Sequence, residues 1–245
     1  SVYIATVAEA MKYATIDKDA KMGDPNFVDV PVDRLLSKSH AQSLADRIRA
    51  GEKAHVKRLN TGAAESKDTT HLVVADSDGN IVNLTHSLGS SSGVITEGLG
   101  FMYNNCMMVF DPRPGHVGSL TPGKARFTAM CPTVLSKNGS PMLAVGAPGG
   151  TTITMGVLQA ILNVVDFGMS ANEAVSAPRF CATSDNIELT NRIFRSVEAE
   201  LNHAGYGTTR YAASYVTPIV HAVRIIDGKL DGGADPAGDG MAASC

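Results

Sequence analysis

Thr69 and Thr70 stand between a polar stretch ending in Ser66-Lys67-Asp68 and an apolar run that begins His71-Leu72-Val73-Val74. A threonine that becomes a chain end carries a nucleophilic hydroxyl and a base on one residue. Its α-amine titrates near about 8, so a useful fraction is unprotonated at neutral pH and can take the hydroxyl proton. Release of Thr69 requires a cut after Asp68, and an accessible stretch leading into a rigid strand suits such a cut. Taken alone, the pair is more simply the β-propensity of a strand entry.

A second candidate is "GAPGGTT" (146–152). Gly149 and Gly150 precede an apolar helical segment, so their backbone N–H groups can converge at its N-terminus and stabilise an oxyanion or hold a phosphate. No Gly-Lys-Ser/Thr follows, which removes the Walker type of phosphate loop. The plain alternative is a tight strand-to-helix turn. Cys106 and Cys131 have no neighbouring histidine in sequence and read as structural thiols. His71 and His86 lie two positions from Thr69 and one from Ser87. Strand residues with satisfied rings are the simpler account of both. The acidic residues form no carboxylate dyad.

These groups sit in a chain of 245 residues, long enough for one large domain or two small ones. Hydrophobic content of 44% with 18% charged residues is that of a folded globular protein. A net charge of −3, scattered basic residues and no Trp give no case for nucleic acid or an anionic membrane. The longest apolar run, 152–168, contains Gln159, Asn163 and Asp166 and is too short and polar to span a bilayer. The four cysteines, 106, 131, 181 and 245, have no metal-binding or CxxC spacing. Isolated thiols favour a reducing compartment such as the cytoplasm. No targeting signal is visible after Ser1, and one lying upstream would fall outside the sequence.

The elements that must position the candidates follow from pattern. Residues 1–15 read as an amphipathic helix, 23–37 as a turn-rich connection, and Ser39 as the cap of a helix through Ile48. Residues 50–68 are polar and aperiodic, an accessible linker. "HLVVA" and "IVNLTHSL" flank "DSDGN", a strong hairpin signal. "GSSSGV" (89–94) reads as a flexible loop, 140–150 as a strand ending on glycines, and 151–166 as a buried helix. Residues 191–205 predict a helix with Ile193, Phe194, Val197 and Leu201 inward and Gly205 as its stop. A last hairpin turns at Asp227-Gly228. The fold class is α+β: a hairpin-rich antiparallel sheet with packed helices, preceded by a helical segment.

In order and spacing, "GDPNFVDVPVDRLLS", "DTTHLVVADSDGNIVNLT", "GFMYNN", "GAPGG", "ANEAVSAPRF" and "GGADPAGDG" closely resemble the γ-glutamyltranspeptidase family of N-terminal-nucleophile hydrolases. The resemblance covers essentially the whole chain. It implies an αββα-type sandwich only partly contained here, with 1–68 as the end of a large-subunit-like segment and 69–245 as a small-subunit-like catalytic domain. It implies a precursor that cuts itself between Asp68 and Thr69, after which Thr69 attacks a γ-glutamyl amide and passes the acyl group to water or an amine. Ser87 stands where the family has a threonine that hydrogen-bonds the nucleophile, and Gly149 and Gly150 match the oxyanion hole. No metal or organic cofactor is implied.

The departures concern the substrate. Gly89 stands where the family has asparagine, Cys106 where it has Gln or Glu, and Val109 where it has aspartate. "FTAM" keeps one hydroxyl, Thr128, of a serine pair that binds the α-carboxylate. Loss of the aspartate leaves a substrate ammonium without its partner. The expected substrate is therefore a small-molecule amide lacking the full γ-glutamyl head group. Standard glutathione hydrolase and transpeptidase activity is the first alternative, and a non-catalytic binding or assembly subunit the second. The expected partner is the missing large-subunit portion or a like subunit, because a lone chain would leave an apolar sheet face uncovered.

Overall fold

The computed structural model describes residues 1–57, 68–216 and 218–244. Along the chain run α1 (Val2–Lys21), α2 (Val32–Leu35), α3 (Lys38–Arg49), β1 (Thr69–Ala75), β2 (Ile81–Ser87), β3 (Ser91–Ile95), β4 (Met102–Asn104), β5 (Thr133–Lys137) and β6 (Ser140–Gly146). There follow α4 (Ile153–Val165), α5 (Ala171–Ser176), β7 (Phe180–Cys181), β8 (Asn186–Leu189), α6 (Arg195–His203), β9 (Gly207–Arg210), β10 (His221–Ile226) and β11 (Lys229–Ala234). This α+β chain forms two compact units. One gathers Ser1–Ala63, Met107–Thr128 and Phe180–Ala212, the other Ala64–Cys106, Ala129–Arg179 and Ala213–Cys245.

In the first unit α1 runs on to Lys21, past the predicted end. It buries Ala8 and Met11 together with a charged pair, Glu9 and Lys12, held 3.1 Å apart. The second Glu9 oxygen accepts the Ala54 N–H at 2.7 Å, and Asp185 accepts the Val56 N–H at 2.7 Å. The start of the predicted linker is thus pinned, with Ala54 and Val56 buried. The rest of that linker, 58–67, lies outside the described residues. Ser37 rather than Ser39 caps α3, its hydroxyl accepting the His40 N–H at 3.1 Å. The helix α6 begins at Arg195, so Phe194 precedes it and is 77% exposed instead of facing inward. Ile193 and Leu201 are buried as predicted, and Gly205 (φ +78°) follows the helix as its stop.

The second unit is layered, and strand alternation explains how. Its main sheet has the order β11-β10-β6-β5, antiparallel throughout. From β6, Leu143 and Val145 enter an apolar core with Ile153, Val157, Ala160 and Val164 of α4 and Ala171, Ala174 and Val175 of α5. Residues one step out of phase, such as Gly146 and His221, face the other way. There they meet the β1–β2 hairpin. The His71 ring stacks on that of His221 with centroids 6.4 Å apart and occupies the space a side chain at Gly146 would need. Asn83 of β2 donates to the Thr133 carbonyl at 2.9 Å, tying the hairpin to β5. Helices, sheet and hairpin make three layers.

The hairpin turns where the sequence predicts. Asp76 accepts the N–H groups of Asp78 and Asn80 at 3.0 and 2.8 Å, and Gly79 takes φ +85°. The predicted loop at 89–94 is instead largely strand. Ser91–Ile95 pairs with Met102–Asn104 through an irregular register, with Gly93 at φ +72° between the paired ends. Backbone pairing needs no apolar side chains, so small residues did not announce it. On the outer face of the hairpin Leu72 lies across from Leu84 and Val74 from Val82, and all four are exposed. Among the described residues, no helix is long and apolar enough to cross a membrane.

Burial, then the facing His221, pushes the His71 imidazole down to about 4. Unfolding releases a ring that protonates near 6.5, so the unfolded chain binds the extra proton across that interval and stability falls as pH drops from 6.5 to about 4. Thermal unfolding above and below this window should show a loss of about 2–3 kcal/mol for this group. His71→Gln should narrow the difference between the two pH values.

Candidate active site

Pairing of β1 with β2 sets Thr69, the first residue of β1, across from Ser87, the last of β2. Cross-strand partners project to the same face. Here the two hydroxyl oxygens lie 2.7 Å apart, and either can donate. Ser87 Oγ also accepts the Gly89 N–H at 2.9 Å, which fixes its position from the other side. One rung further, the Asp68 carbonyl accepts the Leu88 N–H at 3.0 Å. That carbonyl belongs to the Asp68–Thr69 peptide bond, and an amide donor aimed at it favours negative charge on its oxygen.

The glycine turn approaches from β6. After Gly146 the chain passes Ala147 and Pro148 into Gly149 at φ +143° and Gly150 at φ +58°, conformations in which a Cβ is strained. The Gly149 carbonyl accepts the Thr152 N–H at 3.2 Å and its hydroxyl at 2.8 Å, closing a 3₁₀ turn that leads into α4. A Cβ on Gly149 would lie 2.6 Å from the Cα of Pro218, whereas one on Gly150 would meet open space. His71, two residues from Thr69, packs on Gly146, three residues before Gly149, so the start of β1 is held against the end of β6.

Gly89 and Cys106 touch each other. Gly89 adopts φ +73°, and a Cβ there would lie 3.0 Å from Cys106 Sγ and 3.3 Å from its Cα. The two departures therefore form one packed arrangement beside Ser87. Val109 and Thr128 belong to the first unit, in the stretch Met107–Thr128. His71 is a buried packing residue and His86 an exposed one on the hairpin's outer face. The Cys131 thiol is pushed up to about 11 by burial, which suits a structural thiol.

Sequence reasoning missed the Leu88 N–H on the Asp68 carbonyl, which only strand register reveals. It also missed a buried ion pair between Arg179 and Asp235, 6% and 0% exposed. Both belong to quoted motifs, "ANEAVSAPRF" and "GGADPAGDG", yet nothing in either motif signals the pairing.

All 245 residues match the profile of the family described as Gamma-glutamyltranspeptidase. The chain is 39% identical over 237 residues to the Acylase ACY 1 proenzyme of Pseudomonas sp. (strain V22), covering 96% of this chain and 42% of that protein. It is 36% identical over 189 residues to the Glutathione hydrolase proenzyme of Escherichia coli (strain K12), covering 71% and 33%. Among solved structures it is similar to cephalosporin acylase from Bacillus halodurans, with a TM-score of 0.85 at 28% identity, over 99% of this chain and 45% of that one. The chain thus spans less than half the length of these relatives.

Replacing Gly89 by the longer side chain should therefore strain this arrangement. Gly89→Asn is expected to destabilise the fold by about 1–3 kcal/mol through overpacking, and Cys106→Gly to relieve the part due to the thiol while the backbone contact at 3.3 Å remains. A double-mutant cycle in denaturant measures that coupling.

Proposed function

Since the chain belongs to the γ-glutamyltranspeptidase family, we propose that it is the catalytic part of a self-processing threonine amidohydrolase or acyltransferase. The observation that carries this reading is the 2.7 Å contact between Thr69 Oγ1 and Ser87 Oγ at the head of β1. In self-cleavage Thr69 Oγ1 attacks the Asp68 carbonyl carbon, the C–N bond breaks as the ester forms, and the nitrogen takes a proton. Water then hydrolyses the ester, leaving an Asp68 carboxylate and a free Thr69 amine. The Leu88 N–H supports this step by its hold on the Asp68 oxygen. The cut divides the chain into 1–68 and 69–245.

In turnover the freed amine is the base. It accepts the Thr69 hydroxyl proton as Oγ1 adds to the substrate carbonyl, and returns it to the leaving amine as the C–N bond breaks. The Gly149 and Gly150 amides receive the developing oxyanion. Water or an acceptor amine then attacks the ester and frees Thr69. These steps use groups of the chain itself.

The substrate is an amide whose acyl part lacks the full γ-glutamyl head group. Gly89, Cys106 and Val109 offer no carboxylate or amide for an α-ammonium, and Thr128 keeps one hydroxyl for a carboxylate. Removing the α-amine from a γ-glutamyl group gives a glutaryl group, the simplest acyl chain meeting this description. Similarity to proteins named acylases agrees with it. Similarity to a protein named glutathione hydrolase supports the second reading, γ-glutamyl transfer, with contacts rebuilt by upstream sequence. The proposed partner is that upstream portion, which would cover Leu72, Leu84, Val74 and Val82 on the hairpin's outer face.

N-terminal sequencing of the whole enzyme should find a new chain beginning at Thr69, absent from Thr69→Ala. Ser87→Ala should slow its appearance by about 10- to 100-fold, as for loss of a group assisting the nucleophile. An intact wild-type chain would count against self-processing. Glutaryl p-nitroanilide should be hydrolysed with higher kcat/KM than γ-glutamyl p-nitroanilide, and the reverse order would favour the second reading.

A further inference from the structure

We infer that the buried Arg179–Asp235 ion pair positions the oxyanion glycines, acting through the short segment Pro218–Val220. This rests on the oxyanion role proposed above for Gly149 and Gly150. Both ends of the segment are gripped. Arg179 Nη2 donates to the Pro218 carbonyl at 3.0 Å, and Asp235 Oδ2 accepts the Val220 N–H at 2.9 Å while also receiving Arg179. The pair is anchored beyond the segment as well. Arg179 Nη1 donates to the Val175 carbonyl at 2.6 Å in α5, and Asp235 Oδ1 accepts the Ala237 N–H at 2.9 Å.

The segment touches the glycine turn twice. The Ile219 N–H donates to the Pro148 carbonyl at 3.0 Å, one residue before Gly149. Pro218 fills the space beside Gly149 where a Cβ would stand, 2.6 Å from Pro218 Cα and 2.7 Å from its Cβ. The same ring closes against Gly156 in α4. It is wedged between the turn and the helix that follows.

The need for such a brace follows from the turn itself. Two consecutive glycines at positive φ gain the required shape at the expense of rigidity, because glycine populates many backbone states. Amides that stabilise an oxyanion must already point at it before charge develops. Orientation has to be imposed from outside the turn, and Pro218 and Ile219 are the residues that impose it. Arg179 and Asp235 are thus positioning residues with no contact to substrate.

Self-cleavage and turnover separate this role from a general structural one. The Asp68 carbonyl is held by the Leu88 N–H, on the hairpin, whereas turnover draws on the glycine turn. The test uses the whole enzyme with Pro218→Ala and Asp235→Asn. It follows both the appearance of the Thr69 terminus and steady-state hydrolysis of whichever of the two p-nitroanilides is turned over faster. The expected result is a fall in kcat of at least about 10-fold, with KM and the self-cleavage rate within about 2-fold of wild type.

Parallel loss of self-cleavage and turnover in both variants, or a change carried by KM, overturns the inference in favour of plain structural support. Gly149→Ala is the reference. If it lowers kcat while Pro218→Ala and Asp235→Asn do not, the bracing role fails and the oxyanion assignment stands. If Gly149→Ala also leaves kcat intact, the oxyanion assignment fails and takes this inference with it.

Discussion

A slip of one residue in the pairing of β1 with β2 would turn Thr69 away from the face it shares with Ser87 and bring Leu72 to the inner side. Everything proposed for the site depends on that register. Three features hold it. The Asp76–Asn80 turn sets the loop length, the His71 ring fits only against a residue without a side chain at 146, and Asn83 bonds the Thr133 carbonyl of β5. The Thr69–Ser87 contact is then a consequence of where two strands end rather than of any affinity between two hydroxyls.

The inner face of the hairpin shows why such a site needs a layered support. His71 and His221 are polar rings placed between the hairpin and the main sheet, and burial keeps both below the ordinary histidine range. His71 Nδ1 lies 2.8 Å from Thr85 Oγ1, one of the few polar partners available to it there. Flat rings let β1 approach β6 and β10 closely, as their near-parallel stacking indicates. A bulkier aliphatic side chain at 71 would meet the Gly146 backbone instead.

Local signals were readable in the sequence and non-local ones were not. The two Asp-Gly hairpins were legible because turn chemistry is local, and both form at the predicted places. The buried helix α4 was legible from its apolar run. The cap of α3 was misplaced by two residues because Ser37 and Ser39 are chemically equivalent until backbone angles are known. Phe194 looked inward on a helical wheel that starts too early. At the site, Thr69 and the two glycines stood out by type and position, whereas Ser87 was marked only by the family resemblance. The contact of Gly89 with Cys106, and that of Arg179 with Asp235 across 56 residues, required coordinates.

The Arg179–Asp235 pair also constrains how this protein can change. Removing one member strands the other as an uncompensated charge away from water, at about 3–5 kcal/mol. Exchanging both for apolar residues would still deprive the Val175 and Pro218 carbonyls and the Val220 and Ala237 N–H groups of these partners. The two positions are 56 residues apart, so no single mutational event in the coding sequence is apt to replace them together. Each residue is held in place by the other. The pair is separated from its apolar equivalents by a valley in sequence space that drift crosses poorly.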